Sequence, residues 1–379
     1  MKILFLDQSG KLGGAELCLA DITQHFRQTS LVGVFSKGPF PDYLRQLNIP
    51  VKILADQTLN VQKASGLLAV FKSLNRLIPL ITAVTQLSKG FDLVYANTQK
   101  ALVVGAIASF VNGRPLVYHL HDIVSPDHFS STNRRIIITL ANRAALIIAN
   151  SQASRDAFIA AGGRADTIQI VYNGFRLESY QISAPQQSVI CNSFVLNDKF
   201  VIGHFSRLAP WKGQHILIKA LAHCSEKAVA LIVGDALFGE DDYATYLHCL
   251  VKNLNLQHRV HFLGFRSDVP ALMKACDLIA HTSTAPEPFG RVIVEAMLCN
   301  RPVVAAGAGG AVELIEQGRT GWLTPPSDVP KLADIITTVY TQPEIARAIA
   351  QKGYLQAQQR FNLANTNEKI ETLLYQIRS

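Results

Sequence analysis

The 379-residue chain has no Cys-x-x-Cys pair, no Gly-x-Gly-x-x-Gly turn opening a domain and no Gly-x-x-x-x-Gly-Lys-Ser/Thr loop. The six cysteines, at 18, 191, 224, 249, 276 and 299, are dispersed and read as reduced, mostly buried thiols of a cytosolic protein. The missing glycine fingerprints argue against a dinucleotide oxidoreductase and a phosphate-loop nucleotidase. No apolar run reaches the roughly 18 to 20 residues that span a bilayer. Met1 to Asp7 is too short and too soon acidic for a secretory signal and reads as a first strand. Zinc-finger spacing and basic-aromatic RNA-recognition motifs are absent, so nucleic acid is not an expected partner. There is no convincing Asp-x-Asp metal motif, because Glu240-Asp-Asp-Tyr243 reads as the acidic start of a helix running to Asn253.

What is present is hydrophobic and periodic. Apolar residues make up 49% of the chain, and its length suits two domains, each with its own core. Strand-like runs at 3–6, 31–35, 51–54, 93–95, 116–119, 146–149 and 168–171 alternate with helical stretches. A second series follows at 200–205, 228–233, 260–263, 278–281, 303–305 and 321–323. Each series predicts a parallel sheet with helices on both faces, hence an α/β protein of two Rossmann-like domains. The weakly periodic stretch 176–198 reads as a linker.

Charge is unevenly shared. Residues 1–185 hold 18 Lys/Arg and 11 Asp/Glu, a net +7, whereas 186–379 hold 18 and 17, a net +1. The basic half is expected to face something acidic, such as an anionic membrane surface, a phosphorylated lipid or a polyanionic glycan. Leu67 to Leu87 reads as an amphipathic helix with Lys72, Arg76 and Lys89 on or near it, kinked at Pro79. It would either lie in a membrane interface or simply cover the first sheet.

The segment Glu287-Pro-Phe-Gly-Arg-Val-Ile-Val-Glu295 places two carboxylates eight residues apart where an apolar loop enters a buried helix. A buried acid there needs polar protein partners or the hydroxyls of a ligand. Free N–H groups at the helix start, from Phe289 to Val292, form a cradle for phosphate or sugar oxygens. Ala306-Gly-Ala-Gly-Gly-Ala-Val-Glu313 is a second glycine-rich turn from strand to helix, and two such turns can face one ligand.

With Ser206-Arg-Leu-Ala-Pro-Trp-Lys-Gly213, these motifs resemble the retaining, metal-independent glycosyltransferases of family 4, over nearly the whole chain. Weaker support comes from Gly13-Gly-Ala-Glu16, His119-Leu-His-Asp122, Asn150-Ser151 and Val171-Tyr-Asn-Gly174. The resemblance implies the glycosyltransferase-B architecture, two Rossmann-like domains facing a central cleft. The acceptor domain would be 1–185 and the donor domain 186–360, with the helix in 361–379 packing back on the first.

It further implies catalytic roles for Arg207, Lys212, His121 and Glu287. Arg207 and Lys212 would neutralise the departing diphosphate, Glu287 would bind hydroxyls of the donor sugar, and His121 would lie beside the reacting sugar. The backbone at Phe289 and Gly290, with Gly309 and Gly310, would approach the donor, and Glu295 would hold the ribose. Gly13 and Gly14 would come close to the diphosphate or the sugar, while the base would be read near Gly264 to Arg266. Glu16 would only favour the first helical turn. The expected donor is a UDP- or GDP-linked sugar, the acceptor a glycan or lipid-linked saccharide, and no cofactor is required. The expected location is cytoplasmic, peripheral on the inner face of the membrane. Metal binding by His119 and His121 is set aside, because two histidines are not a site and the sequence supplies no third ligand. The alternatives are a catalytically silent sugar-nucleotide or carbohydrate-binding protein, or an epimerase or phosphorylase of the same architecture.

Overall fold

The structure, a computed structural model, describes residues 1–55, 67–182, 198–237 and 239–377, with the side chains of 67–76 left aside. The chain forms two compact units. One comprises Met1–Gly174 with Leu363–Ser379, the other Phe175–Asn362.

In the first unit a seven-stranded parallel sheet runs in the order β3-β2-β1-β4-β5-β6-β7. Its strands are β1 (Ile3–Asp7), β2 (Ser30–Val34), β3 (Val51–Ile53), β4 (Leu93–Ala96), β5 (Leu116–Leu120), β6 (Leu146–Ala149) and β7 (Ile168–Ile170). The two-residue period of a strand divides the core between the two faces. Ile3 and Phe5 pack with Leu19, Phe40 and Leu374, whereas Leu4 and Leu6 pack with Leu102, Val104 and Ile137. Both faces are covered, which is why these strands are apolar almost throughout. The helices are α1 (Gly14–His25), α2 (Pro39–Gln46), α3 (Leu67–Ser88), α4 (Gln99–Asn112), α5 (Ser131–Ala141) and α6 (Gln152–Ala160). Pro79 lies inside α3.

The second unit carries six parallel strands in the order β10-β9-β8-β11-β12-β13. They are β8 (Phe200–Phe205), β9 (Ala228–Val233), β10 (Val260–Gly264), β11 (Leu278–His281), β12 (Val303–Ala306) and β13 (Trp322–Thr324). Its helices are α7 (Gln214–Leu221), α8 (Asp241–Asn253), α9 (Val269–Ala275), α10 (Arg291–Leu298), α11 (Ala311–Leu314), α12 (Val329–Thr341) and α13 (Pro343–Arg360). In both sheets the chain fills one side and then returns to the other, so strand order reverses between β1 and β4 and again between β8 and β11. Ligands of open α/β sheets bind outside the carboxyl ends of the strands at such reversals.

The last helix, α14 (Leu363–Gln376), belongs to the first unit. Ile370 and Leu374 are fully buried against Ile3 and Phe5, and Lys369 Nζ donates to the Ile170 carbonyl at 2.8 Å. The unit boundary falls at Gly174 and again at Asn362, rather than after 185 and 360. Close packing explains the first shift: a Cβ on Gly174 would stand 2.7 Å from Leu363 Cα, so that glycine closes onto α14 within the first unit. Phe175, one residue later, donates its N–H to the Phe361 carbonyl at 2.8 Å within the second. Of the linker reading, 183–197 lies outside the described residues.

Candidate functional site

In the second unit, three loops at the carboxyl ends of β8, β11 and β12 are tied to one another. After β8 the chain makes a short 3-10 turn, Pro210–Lys212, that ends at Gly213 with φ +72°. A Cβ there would lie 1.9 Å from the Thr282 carbonyl oxygen, so only glycine admits the approach. Thr282 Oγ1 donates to the Gly213 carbonyl at 2.7 Å, and the Thr284 N–H donates to the Trp211 carbonyl at 2.8 Å. This lacing brings Lys212 against Glu287.

Glu287 is buried, and its Oε1 collects three partners. Lys212 Nζ lies 2.5 Å away, Ser283 Oγ donates from 2.7 Å, and His281 Nε2 stands at 3.2 Å. Burial alone would raise the carboxyl pKa, but the Lys212 ammonium and the His281 ring outweigh it and hold Glu287 well below the ordinary carboxylate range. The site therefore keeps Glu287 ionised against Lys212. Behind the pair, His204 has Nε2 3.1 Å from Thr282 Oγ1, and burial lowers its pKa to about 3, so it stays neutral.

The glycine loop after β12 closes on the backbone of the same glutamate. The Gly310 N–H donates to the Glu287 carbonyl at 2.7 Å, and Gly309 bridges Glu287 with φ +62°. A Cβ at 309 would lie 2.2 Å from that carbonyl oxygen, and one at 310 would lie 2.7 Å from the Phe289 Cα. Phe289 is buried between Phe175 and Phe361, and Gly290, with φ +94°, opens α10. Glu295 sits one turn into α10, with Oε1 3.6 Å from Arg291 Nε. One partner of this half-buried carboxylate is thus a neighbour on its own helix.

The cations are arranged on an aromatic ring. Lys212 Nζ lies 4.0 Å from the centroid of Trp211, and the Arg207 guanidinium lies 5.8 Å from it. Arg207 also faces Glu240 at 3.8 Å. Arg266, after β10, forks onto Asp268 with contacts of 2.8 and 2.7 Å. Its charge is thus already engaged two residues away.

In the first unit Gly13 caps α1 with an extended backbone, and Gly14 is the first helical residue. His121 follows β5, and its orientation is set by a chain of hydrogen bonds. Asn97 Nδ2 donates to Asp7 Oδ2 at 2.7 Å and to the Ala15 carbonyl at 3.2 Å. That leaves Asn97 Oδ1 as the acceptor for His121 Nε2 at 2.8 Å, which places the proton of the neutral ring on Nε2. Glu16 is more than a helix-start acid. Burial, then repulsion from Asp7, pushes its pKa up to about 8, and burial raises Asp7 to about 6. Asp122, raised by burial, accepts from Gln99 Nε2 at 2.9 Å.

Reading from sequence also missed a third group beside the two histidines. Cys18, on α1, stands with His119 and His121 so that one ligand atom of each lies within 4.8 Å of the others. Nothing in the sequence joins position 18 to position 119, since only the sheet brings α1 next to β5. His204, His281 and Ser283 were missed as well. Their signal was a polar residue at or just beyond the carboxyl end of an apolar strand.

Known proteins match this chain along nearly its whole length. The family described as glycosyl transferases group 1 matches residues 191–356, and glycosyltransferase family 4 matches residues 12–179. Among solved structures, HepE of Anabaena in complex with UDP-glucose is 54% identical, with 99% of this chain and 100% of that chain covered at a TM-score of 0.93. CapM of Staphylococcus aureus, a capsular polysaccharide biosynthesis glycosyltransferase, is 24% identical over 363 residues, 88% of this chain and 91% of CapM. The N-acetyl-alpha-D-glucosaminyl L-malate synthase of Bacillus anthracis is 30% identical over 183 residues, 48% of this chain and 46% of that protein. The chain spans about half the length of this and the next two curated relatives it matches. With two Rossmann-like sheets and full-length likeness to HepE, the chain belongs to the group 1, family 4 glycosyltransferases of glycosyltransferase-B architecture.

Proposed function

We propose that the protein transfers a sugar from a UDP-sugar to a glycan or lipid-linked acceptor, with retention of configuration and without a required divalent metal. The single observation that carries this reading is the buried Lys212–Glu287 pair, set at the strand-order reversal and closed in by Gly309 and Gly310. A carboxylate held ionised beside an ammonium can accept from sugar hydroxyls, while the ammonium turns to a phosphate oxygen. HepE's complex with UDP-glucose favours UDP over GDP as the carrier.

The chemistry follows from where charge develops. As the anomeric carbon–oxygen bond breaks, both bonding electrons stay on the diphosphate, and Lys212 and Arg207 stabilise that charge. The acceptor hydroxyl attacks from the same face and its proton passes to the departing phosphate oxygen, so configuration is retained. Arg207 binds oxygens through a planar fork and Lys212 acts as a point charge. Glu295 and the Phe289–Gly290 backbone are assigned to the donor's ribose and phosphates. Gly13, Gly14 and Arg266 are assigned to donor contacts, and His121 to the transferred sugar. Thermal shift with UDP-glucose and GDP-mannose, followed by detection of released UDP with candidate lipid acceptors, tests the reading. A larger shift with UDP-glucose is expected. Indifference to every nucleotide-sugar overturns it.

For the acceptor side, we propose that α4 and its neighbours meet an anionic membrane surface. Phe110 and Val111 on α4 are 84% and 62% exposed, and Ile78 on α3 and Ile136 on α5 are exposed as well. Exposed Lys89 and Arg135 lie on the same elements or at their ends. Among the described residues no helix is long and apolar enough to cross a membrane, so the reading is of peripheral contact. Cosedimentation with anionic vesicles that fades in Phe110→Ser and with uncharged vesicles is the expected result. Equal sedimentation in all three cases refutes it.

A further inference from the structure

The geometry points to a zinc-binding site in the first unit, formed by Cys18, His119 and His121, which neither the family nor the donor chemistry calls for. One ligand atom from each residue lies within 4.8 Å of the others. Ligand atoms around a tetrahedral zinc, with bonds of about 2.3 Å to sulfur and 2.0 to 2.1 Å to nitrogen, stand roughly 3.5 Å apart, so small side-chain rotations close the trio. One thiolate with two imidazoles is a donor set that suits zinc and leaves a fourth position to water.

The second observation is a nitrogen that lacks a partner. His119 is 2% exposed, and its Nε2 has no hydrogen-bond partner among the described residues. Such a buried polar atom costs free energy unless something fills the place. Its other nitrogen, Nδ1, is 2.8 Å from the Tyr95 hydroxyl. His121 is held in the same way, through Nε2 to Asn97 and on to Asp7. Histidines that bind a metal almost always hand their second nitrogen to an oxygen, as both do here. Binding would take the proton from the Cys18 thiol, now 3.2 Å from Asn173 Oδ1, and release it to solvent. The Asp7 carboxylate, tied to His121 through Asn97, offsets the charge that remains.

Zinc on this trio would occupy His121. This consequence rests on the proposed function, which gives His121 to the transferred sugar, so the metal is expected to inhibit transfer and not to assist it. The binding claim stands without that reading.

Cobalt serves as a spectroscopic stand-in, added to the reduced full-length protein. One equivalent should produce thiolate-to-metal charge transfer and intense tetrahedral ligand-field absorption, and zinc should displace it. Cys18→Ser should abolish the charge-transfer band, and His119→Gln should weaken zinc binding by at least about 100-fold, as judged by competition with a chromophoric chelator. Asn97→Ala should cost about 10- to 100-fold. A Cys249→Ser control should bind as the parent does. A band that survives Cys18→Ser, or equal zinc affinity in His119→Gln, overturns the site. For the second claim, zinc should slow UDP release reversibly in the parent and leave Cys18→Ser untouched. Full activity of the zinc-loaded parent would remove His121 from the transfer chemistry while leaving the binding site in place.

Discussion

Lys212 and Glu287 form an ion pair, with 2.5 Å between Nζ and Oε1, in which the lysine side chain keeps 17% of its surface in water and the glutamate 7%. Two charges assigned to separate parts of a donor therefore neutralise each other until the donor comes. On the proposed reading, an arriving phosphate offers the lysine a second anion and leaves the ionised glutamate facing the sugar.

Removing one partner strands the other. Lys212→Ala should lower unfolding free energy by about 3 to 5 kcal/mol, because Glu287 stays buried without its cation. Turnover should fall by roughly 10²-fold or more, and Arg207→Ala should show a similar kinetic loss with little change in stability. Lys212→Met combined with Glu287→Leu should regain most of the stability and none of the activity. Denaturant titration beside UDP release would separate the two effects, and an unaltered midpoint in Lys212→Ala would contradict the buried pair.

The glycine loop allows a matched comparison. Gly309 and Gly318 both have positive φ, but a Cβ at 318 meets open space while one at 309 would sit 2.2 Å from the Glu287 carbonyl oxygen. Gly318→Ala should therefore cost about 1 to 2 kcal/mol of backbone strain alone. Gly309→Ala should cost clearly more and also weaken binding of the nucleotide-sugar. Equal losses of stability would mean that the close approach is not what selects glycine.

Stability should decline toward mildly alkaline pH. Glu16 titrates near 4.5 when unfolded and about 8 when folded, raised by burial first and by Asp7 second. A raised carboxyl binds its proton more tightly in the folded protein, so its contribution is whole below about 4.5 and is lost as pH climbs through about 8. One such group gives a slope of at most about 1.4 kcal/mol per pH unit. Glu16→Gln should flatten the fall in melting temperature between those limits. A parental profile in the variant would show that Glu16 is solvated.

Chelator should not stop the reaction. Excess EDTA is expected to leave UDP release undiminished, or to raise it where zinc has been carried through purification. A strict requirement for added divalent metal would contradict the assignment of charge stabilisation to Arg207 and Lys212.

Much of the fold was legible from periodicity. The apolar runs at 3–6 and 200–205 became β1 and β8, and the stretch from Leu363 became α14. These segments are buried on both faces or along one stripe, so composition alone marks them. The site was legible where backbone geometry demanded a residue type, as at Gly213, Gly290 and Gly309. It was not legible where two side chains distant in sequence meet. Neither the clasp of Lys212 on Glu287 nor the approach of Cys18 to His119 leaves a mark in local spacing, because both arise from strand order. The fork of Arg266 onto Asp268 likewise went unread in the sequence.

The placement of α14 in the first unit carries a consequence for biogenesis. Ile370 and Leu374 fill one face of the sheet that begins at Ile3, so that layer stays open until α14 leaves the ribosome. The intervening unit can mature first, and a nonsense change at codon 367 should yield a protein whose first unit, not its second, exposes apolar surface and draws chaperones.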